Sequence, residues 1–223
     1  MAPLSRRAFQ LARWLGLSVM LCAAAMIPMF PTEKQTGPLA PGFHSPIIAF
    51  ELAASRDEVE TMFKQAGSPE REELRQAMDR GNQVDFVFLV LYAGLLGTVA
   101  LGLARRAALW LAPLAAAADV LENLQLFAIT RALGADYTAA LAQLQIWTRI
   151  KWGALALALI FIAPALLRRG RFERAAAMWC GLTGLLGLAA AFDRTRFMEL
   201  FSLCVSIAFI ALWVVSLRAR RTG

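Results

Sequence analysis

Six stretches of roughly 20 mostly apolar residues, 11–30, 84–104, 110–130, 144–167, 175–192 and 198–217, restrict what this chain can become. A helix of that length matches the hydrocarbon thickness of a bilayer, where every backbone polar group has to be satisfied internally. The composition agrees. Hydrophobic residues make up 59% of the 223, with a mean hydropathy of +0.55, whereas soluble domains run at about 45–50%. Connections between the later stretches are short. The expectation is one all-α domain, 1–223, folded as a polytopic membrane protein: a six-transmembrane-helix bundle with loop 31–81 inserted between the first and second spans.

The basic excess, +7 with a pI near 10.1, is unevenly placed. Arginines gather at four places: Arg6, Arg7 and Arg13; Arg105 and Arg106; Arg168, Arg169, Arg171 and Arg174; Arg218, Arg220 and Arg221. With six spans these all fall on one side, accompanied by a single acid, Glu173. That is the positive-inside pattern, which puts both termini in the cytoplasm and loop 31–81 outside. The charge reads as a topology signal toward a lipid bilayer, assisted by anionic lipids, and nucleic acid is not an expected partner. Rich Ala and Arg usage points to a bacterial source and hence to the cell inner membrane. Arg6 and Arg7 ahead of an apolar core, with alanines at 23–25, have the look of a signal peptide. The apolar run continues through Ile27, Met29 and Phe30, and no small residue precedes Cys22 as a lipoprotein would require, so an uncleaved signal anchor is preferred. Cys22, Cys180 and Cys204 form no CxxC pair and read as small buried hydrophobes.

Within the long loop, 31–46 is rich in Pro and Gly and should be irregular. The short apolar run 47–54 is too short to span; it is expected at the interface or tucked among the helices, with Glu51 as a boundary residue. Two short amphipathic helices follow. Ser55 and Glu58 make a capping box ahead of Val59, Met62, Phe63 and Ala66, with Gly67 as the stop. Ser68 and Pro69 start the second, which carries Leu74, Ala77 and Met78 and is expected to end at Gly81, before Asn82 caps the next span. Gly94, Gly97 and Gly102 in the second span, and Gly181, Gly184 and Gly187 in the fifth, mark close helix packing.

The chemistry lies in the third span. Asp119, Glu122 and Asn123 stand at i, i+3 and i+4, on one helix face, inside an otherwise apolar stretch. Ionisable groups at membrane depth cost several kcal/mol without partners and mark function by default. Asp119 lies roughly 13 Å along its span, near the midplane. Asp85 enters from the outer end of the second span, above Leu89 and Tyr92 on the same face. In the fourth span Arg149 shares a side with Gln145, Gly153 and Ala156 and is expected to face the bundle. Lys151, between Trp147 and Trp152, is expected to snorkel to the interface. Glu199 opens the sixth span's polar stripe with Ser202 and Ser206. The candidate site is therefore Asp119, Glu122, Asn123, Asp85, Arg149, Lys151 and Glu199, lining a water-accessible cavity open to the extracytoplasmic side. The competing reading is an ion-pair network that fixes helix packing. Interhelical polar contacts contribute only about 0.6 kcal/mol each, which hardly accounts for three polar residues in one buried turn.

His44 is the only histidine and lies in the irregular loop, which argues against a zinc site, a Ser–His triad or bis-histidine haem. Carboxylate-held Mg²⁺ or Ca²⁺ stays open, but the acids lack a diagnostic spacing; neither cofactor nor metal is expected, and no residue is assigned a catalytic role. Three functions fit: handling of a small solute or protons in the manner of a transporter, acid–base chemistry on a lipid or isoprenoid ligand, or a non-catalytic scaffold or sensor. The first leads, on the midplane acid. Against it, there is no inverted repeat and no span broken by paired Gly and Pro; Pro113 and Pro164 lie near cytoplasmic ends.

Overall fold

The structure is a computed structural model that describes residues 3–219. Arg220 and Arg221, counted above with the basic residues, lie outside the described residues. Among the described residues there are eight helices and no strand: α1 Pro3–Met26, α2 Pro46–Glu51, α3 Arg56–Met62, α4 Pro69–Gly102, α5 Arg106–Arg131, α6 Thr138–Leu167, α7 Arg171–Ala190 and α8 Arg194–Arg218. Residues Arg6–Met26 of α1, together with α4, α5, α6 and α8, are long and apolar enough to cross a membrane. The α7 helix is not among these five: Arg171, Glu173 and Arg174 occupy its first turn, and what remains is shorter than the ~20 apolar residues a span needs. This all-helical architecture is consistent with an α-helical membrane protein.

The six long helices form a closed ring in chain order. Each packs on the next, and α8 returns to pack on α1. Small residues set the seams. A methyl group on Gly184 of α7 would collide with the Ala156 carbonyl and Ile160 of α6, and one on Gly16 of α1 would meet the Trp213 ring of α8. Indole N–H groups tie backbones across two seams: Trp213 donates to the Arg13 carbonyl and Trp179 to the Cys204 carbonyl, each at 3.0 Å. Large apolar side chains such as Trp14, Trp110, Leu182 and Leu203 point outward from the ring, as a lipid-facing surface requires. One end of the ring carries the described clustered arginines; the other carries residues 27–68, and these are called here the arginine end and the loop end.

At the loop end one helix runs longer than expected, and one segment takes the inner of its two expected placements. The helix begun at Ser68, whose Oγ accepts the Arg71 N–H at 3.2 Å, does not stop at Gly81. It runs on for 34 residues as one α4, fusing the second amphipathic helix to the second span. A mid-helix glycine costs only about 1 kcal/mol, and here the missing Cβ lets the Phe30 ring lie against the α4 backbone. The apolar run 47–54 supplies α2, which tucks in rather than lying at an interface: Ile48, Ala49, Phe50 and Ala53 are buried, and Phe50 meets Phe63 edge-on at 5.1 Å.

The Ser55 cap forms at α3, with the returning bond from Glu58 shifted one residue toward the N-terminus. Ser55 Oγ accepts the Glu58 N–H at 3.2 Å, and Glu58 accepts the Ala54 N–H at 2.8 Å. Glu60 then fastens this cap to the ring. Its carboxylate meets Arg71 of α4 at 2.6 Å, and accepts the Gly134 N–H and the Tyr137 hydroxyl at 3.0 Å each. Burial alone would raise the Glu60 pKa, but the donors from Gly134, Arg71 and Tyr137 outweigh it and hold it below the ordinary range. The Tyr137 hydroxyl is pushed up to about 12 by burial and by its bond to Glu60.

Candidate functional site

The phase of α6 decides the site. Leu144, Thr148, Leu155 and Leu159 recur at helical spacing and are all buried, so position 151 faces the interior with them. Lys151 is 5% exposed and Arg149, two residues away and on another face, is exposed. This reverses the sequence expectation for the pair. Flanking tryptophans suggest snorkelling, but the inward stripe leaves Lys151 no route to an interface.

Three carboxylates surround its ammonium. Nζ stands 2.5 Å from Glu122 Oε1, 3.1 Å from Glu51 Oε2 and 3.2 Å from Asp119 Oδ1. All are buried, Glu122 completely. Each acid is further held. Tyr92 donates its hydroxyl to Asp119 Oδ2 at 2.8 Å. The Trp152 indole N–H reaches Glu51 at 3.3 Å, and Thr148 donates to the Glu51 carbonyl at 3.0 Å, fixing the end of α2 against α6. Asn123 donates to the half-buried Asp85 at 2.7 Å. Glu122 Oε2 has no hydrogen-bond partner among the described residues. The i, i+3, i+4 triplet of α5 thus faces inward together, as its spacing requires.

Asp85, Asp119, Lys151 and Glu51 border a cavity of about 380 Å³. Ser202 and Ser206 of α8 and Asn82 of α4 add polar wall, while Met26, Phe30, Phe88 and Phe209 make the rest apolar. Glu122 sits behind Lys151, off this cavity. The structure therefore brings together Asp119, Glu122, Asn123, Asp85 and Lys151. It leaves two of the candidates elsewhere. Arg149 borders a different cavity, and Glu199 is spent at the loop end, accepting the His44 and Ser45 N–H groups at 2.5 and 2.6 Å ahead of α2.

Sequence reasoning missed Glu51 as a member. Its signal was present: an acid interrupting an apolar run too short to span must be buried with that run once it packs inside. Among the described residues no group of three or more His, Cys, Asp or Glu side chains has the geometry to hold a metal ion.

Fold and site together describe an all-helical protein, with five helices long and apolar enough to cross a membrane, that carries an acid-rich cluster around one buried lysine. No protein-family model matches the chain, and no curated protein and no solved structure matches it either.

Proposed function

We propose that this chain is a six-helix integral membrane protein of a bacterial inner membrane that binds a small solute in the cavity beside Lys151, coupled to proton exchange at the Lys151 cluster. Counting about 20 residues from the arginine end of each long helix brings the far boundary close to Met26, Gln83, Leu126, Trp147, Ala190 and Met198. Those positions all lie at the loop end, which supports α7 as the sixth span. The positive-inside rule then makes the arginine end cytoplasmic and leaves the cavity in the outer half.

One observation carries the functional reading: a single ammonium meets three buried carboxylates beside a cavity. A structural ion pair needs one acid per base. Each uncompensated buried charge costs several kcal/mol, so the extra acids call for further positive charge, supplied by protons or by a cationic group on the solute. Asp85, Asp119 and the serines of α8 favour a solute with an amine or another hydrogen-bond donor, and the aromatic walls favour an apolar remainder.

The test is reconstitution into liposomes holding a pH-sensitive dye, challenged with a panel of small organic amines. Solute-dependent proton movement is expected from the wild type and its loss from Asp119→Asn and Glu122→Gln, both retaining helical circular dichroism. Absence of any solute-dependent proton movement from the wild type overturns the reading. Chemical turnover of a lipid without a gradient would favour the enzyme reading instead.

A further inference from the structure

A second cavity, of about 370 Å³, opens at the loop end where α6 parts from α7 and the start of α8. It lies within the ~300–1,000 Å³ of small-molecule sites. Its floor is shaped by glycine. A Cβ at Gly153 would meet nothing within 4 Å, whereas deeper along the same seam a Cβ at Gly184 would be tight against Ala156 and Ile160. The seam is thus closed below and hollow above. Leu188, Met198 and the almost fully exposed Phe192 give it apolar flanks.

The charges that border it are not equivalent. Arg194 is committed, donating to the Leu52 carbonyl and to Glu58, the latter at 2.7 Å. Glu51 is committed to Lys151 and Trp152. Arg149 has no carboxylate within ion-pair distance among the described residues, nor a hydrogen bond from its guanidinium. It stands one helical turn above Gly153. Measured from Arg168, it lies ~28 Å along α6, close to the far edge of a hydrocarbon core ~30 Å thick, from which a long guanidinium side chain reaches the headgroup layer that holds lipid phosphates.

We infer that this cavity seats an anionic phospholipid of the surrounding bilayer, with its phosphate on Arg149 and an acyl chain laid over Gly153 into the α6–α7 seam. An unspent cation near headgroup depth above an apolar slot matches that ligand in charge and in polarity. This cavity shares Glu51 and Trp152 with the wall of the one beside Lys151, but the inference rests on Arg149 and Gly153 and stands whether or not the proton-exchange reading holds.

The full-length protein in detergent, titrated with phosphatidylglycerol or phosphatidylethanolamine of the same acyl composition, is assayed by native mass spectrometry. The wild type should retain one phosphatidylglycerol in preference to phosphatidylethanolamine. Arg149→Gln should weaken that retention roughly tenfold, the scale of one charge-assisted contact, with Arg149→Lys preserving most of it. Gly153→Leu, whose Cβ meets nothing and whose branch extends into the slot, should displace both lipids while melting no lower than the wild type. Arg131→Gln, another exposed arginine at the loop end, should change nothing. Equal retention of the two lipids by the wild type, or unchanged retention in Arg149→Gln or Gly153→Leu, overturns the proposal. Displacement of the bound lipid by millimolar inorganic phosphate alone also overturns it, because the acyl seat would then contribute nothing.

Discussion

Replacing Lys151 by methionine keeps the length and apolar bulk of the side chain and removes only the charge. At an effective dielectric of 20, each contact of ~3 Å is worth roughly 5 kcal/mol of gross attraction. Most of that is offset by desolvation and by repulsion among the acids, and measured losses on breaking a buried pair are about 3–5 kcal/mol. A loss of that size is expected for Lys151→Met, a large part of the ~5–15 kcal/mol by which folded proteins are stable. Glu122→Gln keeps an oxygen where Glu122 Oε1 stands 2.5 Å from Nζ and should cost about 1–2 kcal/mol. The informative variant is the double one. Removing the deepest acid as well relieves part of the unbalanced charge, so Lys151→Met/Glu122→Gln should be more stable than Lys151→Met by about 1–2 kcal/mol. The assay is reversible unfolding by dodecyl sulfate titration in mixed micelles, followed by far-ultraviolet circular dichroism. Arg149→Met, on the exposed face, should stay within about 0.5 kcal/mol of the wild type in lipid-free micelles. A Lys151→Met protein as stable as the wild type, or a double variant less stable than Lys151→Met, would refute the charge-balance argument.

The remaining predictions concern the loop end and the α6–α7 seam. With only two tyrosines in the chain, a Tyr92→Phe protein isolates Tyr137, whose ultraviolet phenolate titration should have its midpoint near 12 rather than the ordinary 10.0; a midpoint near 10 rules out the Glu60 bond. Because the folded Glu60 pKa lies below its unfolded value, its stabilisation is complete above about pH 5 and is lost as the pH falls through the folded value. The melting temperature of Glu60→Gln should therefore fall less steeply than that of the wild type between about pH 5 and pH 3, and parallel curves would contradict this. Two glycines should respond in opposite directions to alanine in the same unfolding assay. Gly184→Ala forces a clash and should cost about 1–3 kcal/mol, while Gly153→Ala enters open space and should gain up to about 1 kcal/mol in helix propensity. Reversal of that order would show the seam to be packed otherwise.

Much of this architecture is readable in the sequence because long apolar runs and caps are local signals. Ser55 with Glu58, Ser68 with Pro69, and the Asp119–Glu122–Asn123 triplet each act within one turn, and each appears as its spacing requires. The orientation of α6 was not readable. A helix with lipid on one side and protein on the other is apolar all round, so periodicity does not distinguish the two faces, and the structure turns Lys151 inward and Arg149 outward. Glu51 escaped for another reason: an acid in an apolar run too short to span hints at burial, but that it meets Lys151 depends on where the short helix docks, which is a long-range fact. The stop expected at Gly81 failed because a weak local preference yields to the continuity of a helix packed along its length.

The ring order also bears on biogenesis. Each long helix after α1 packs on the long helix immediately before it in the chain, so most seams need only short loop closures and little searching as synthesis proceeds. The α1–α8 seam is the exception, since Trp213 meets the Arg13 backbone only after all intervening helices are in place. Until then one flank of α1 lacks its partner, so that seam is the last to close.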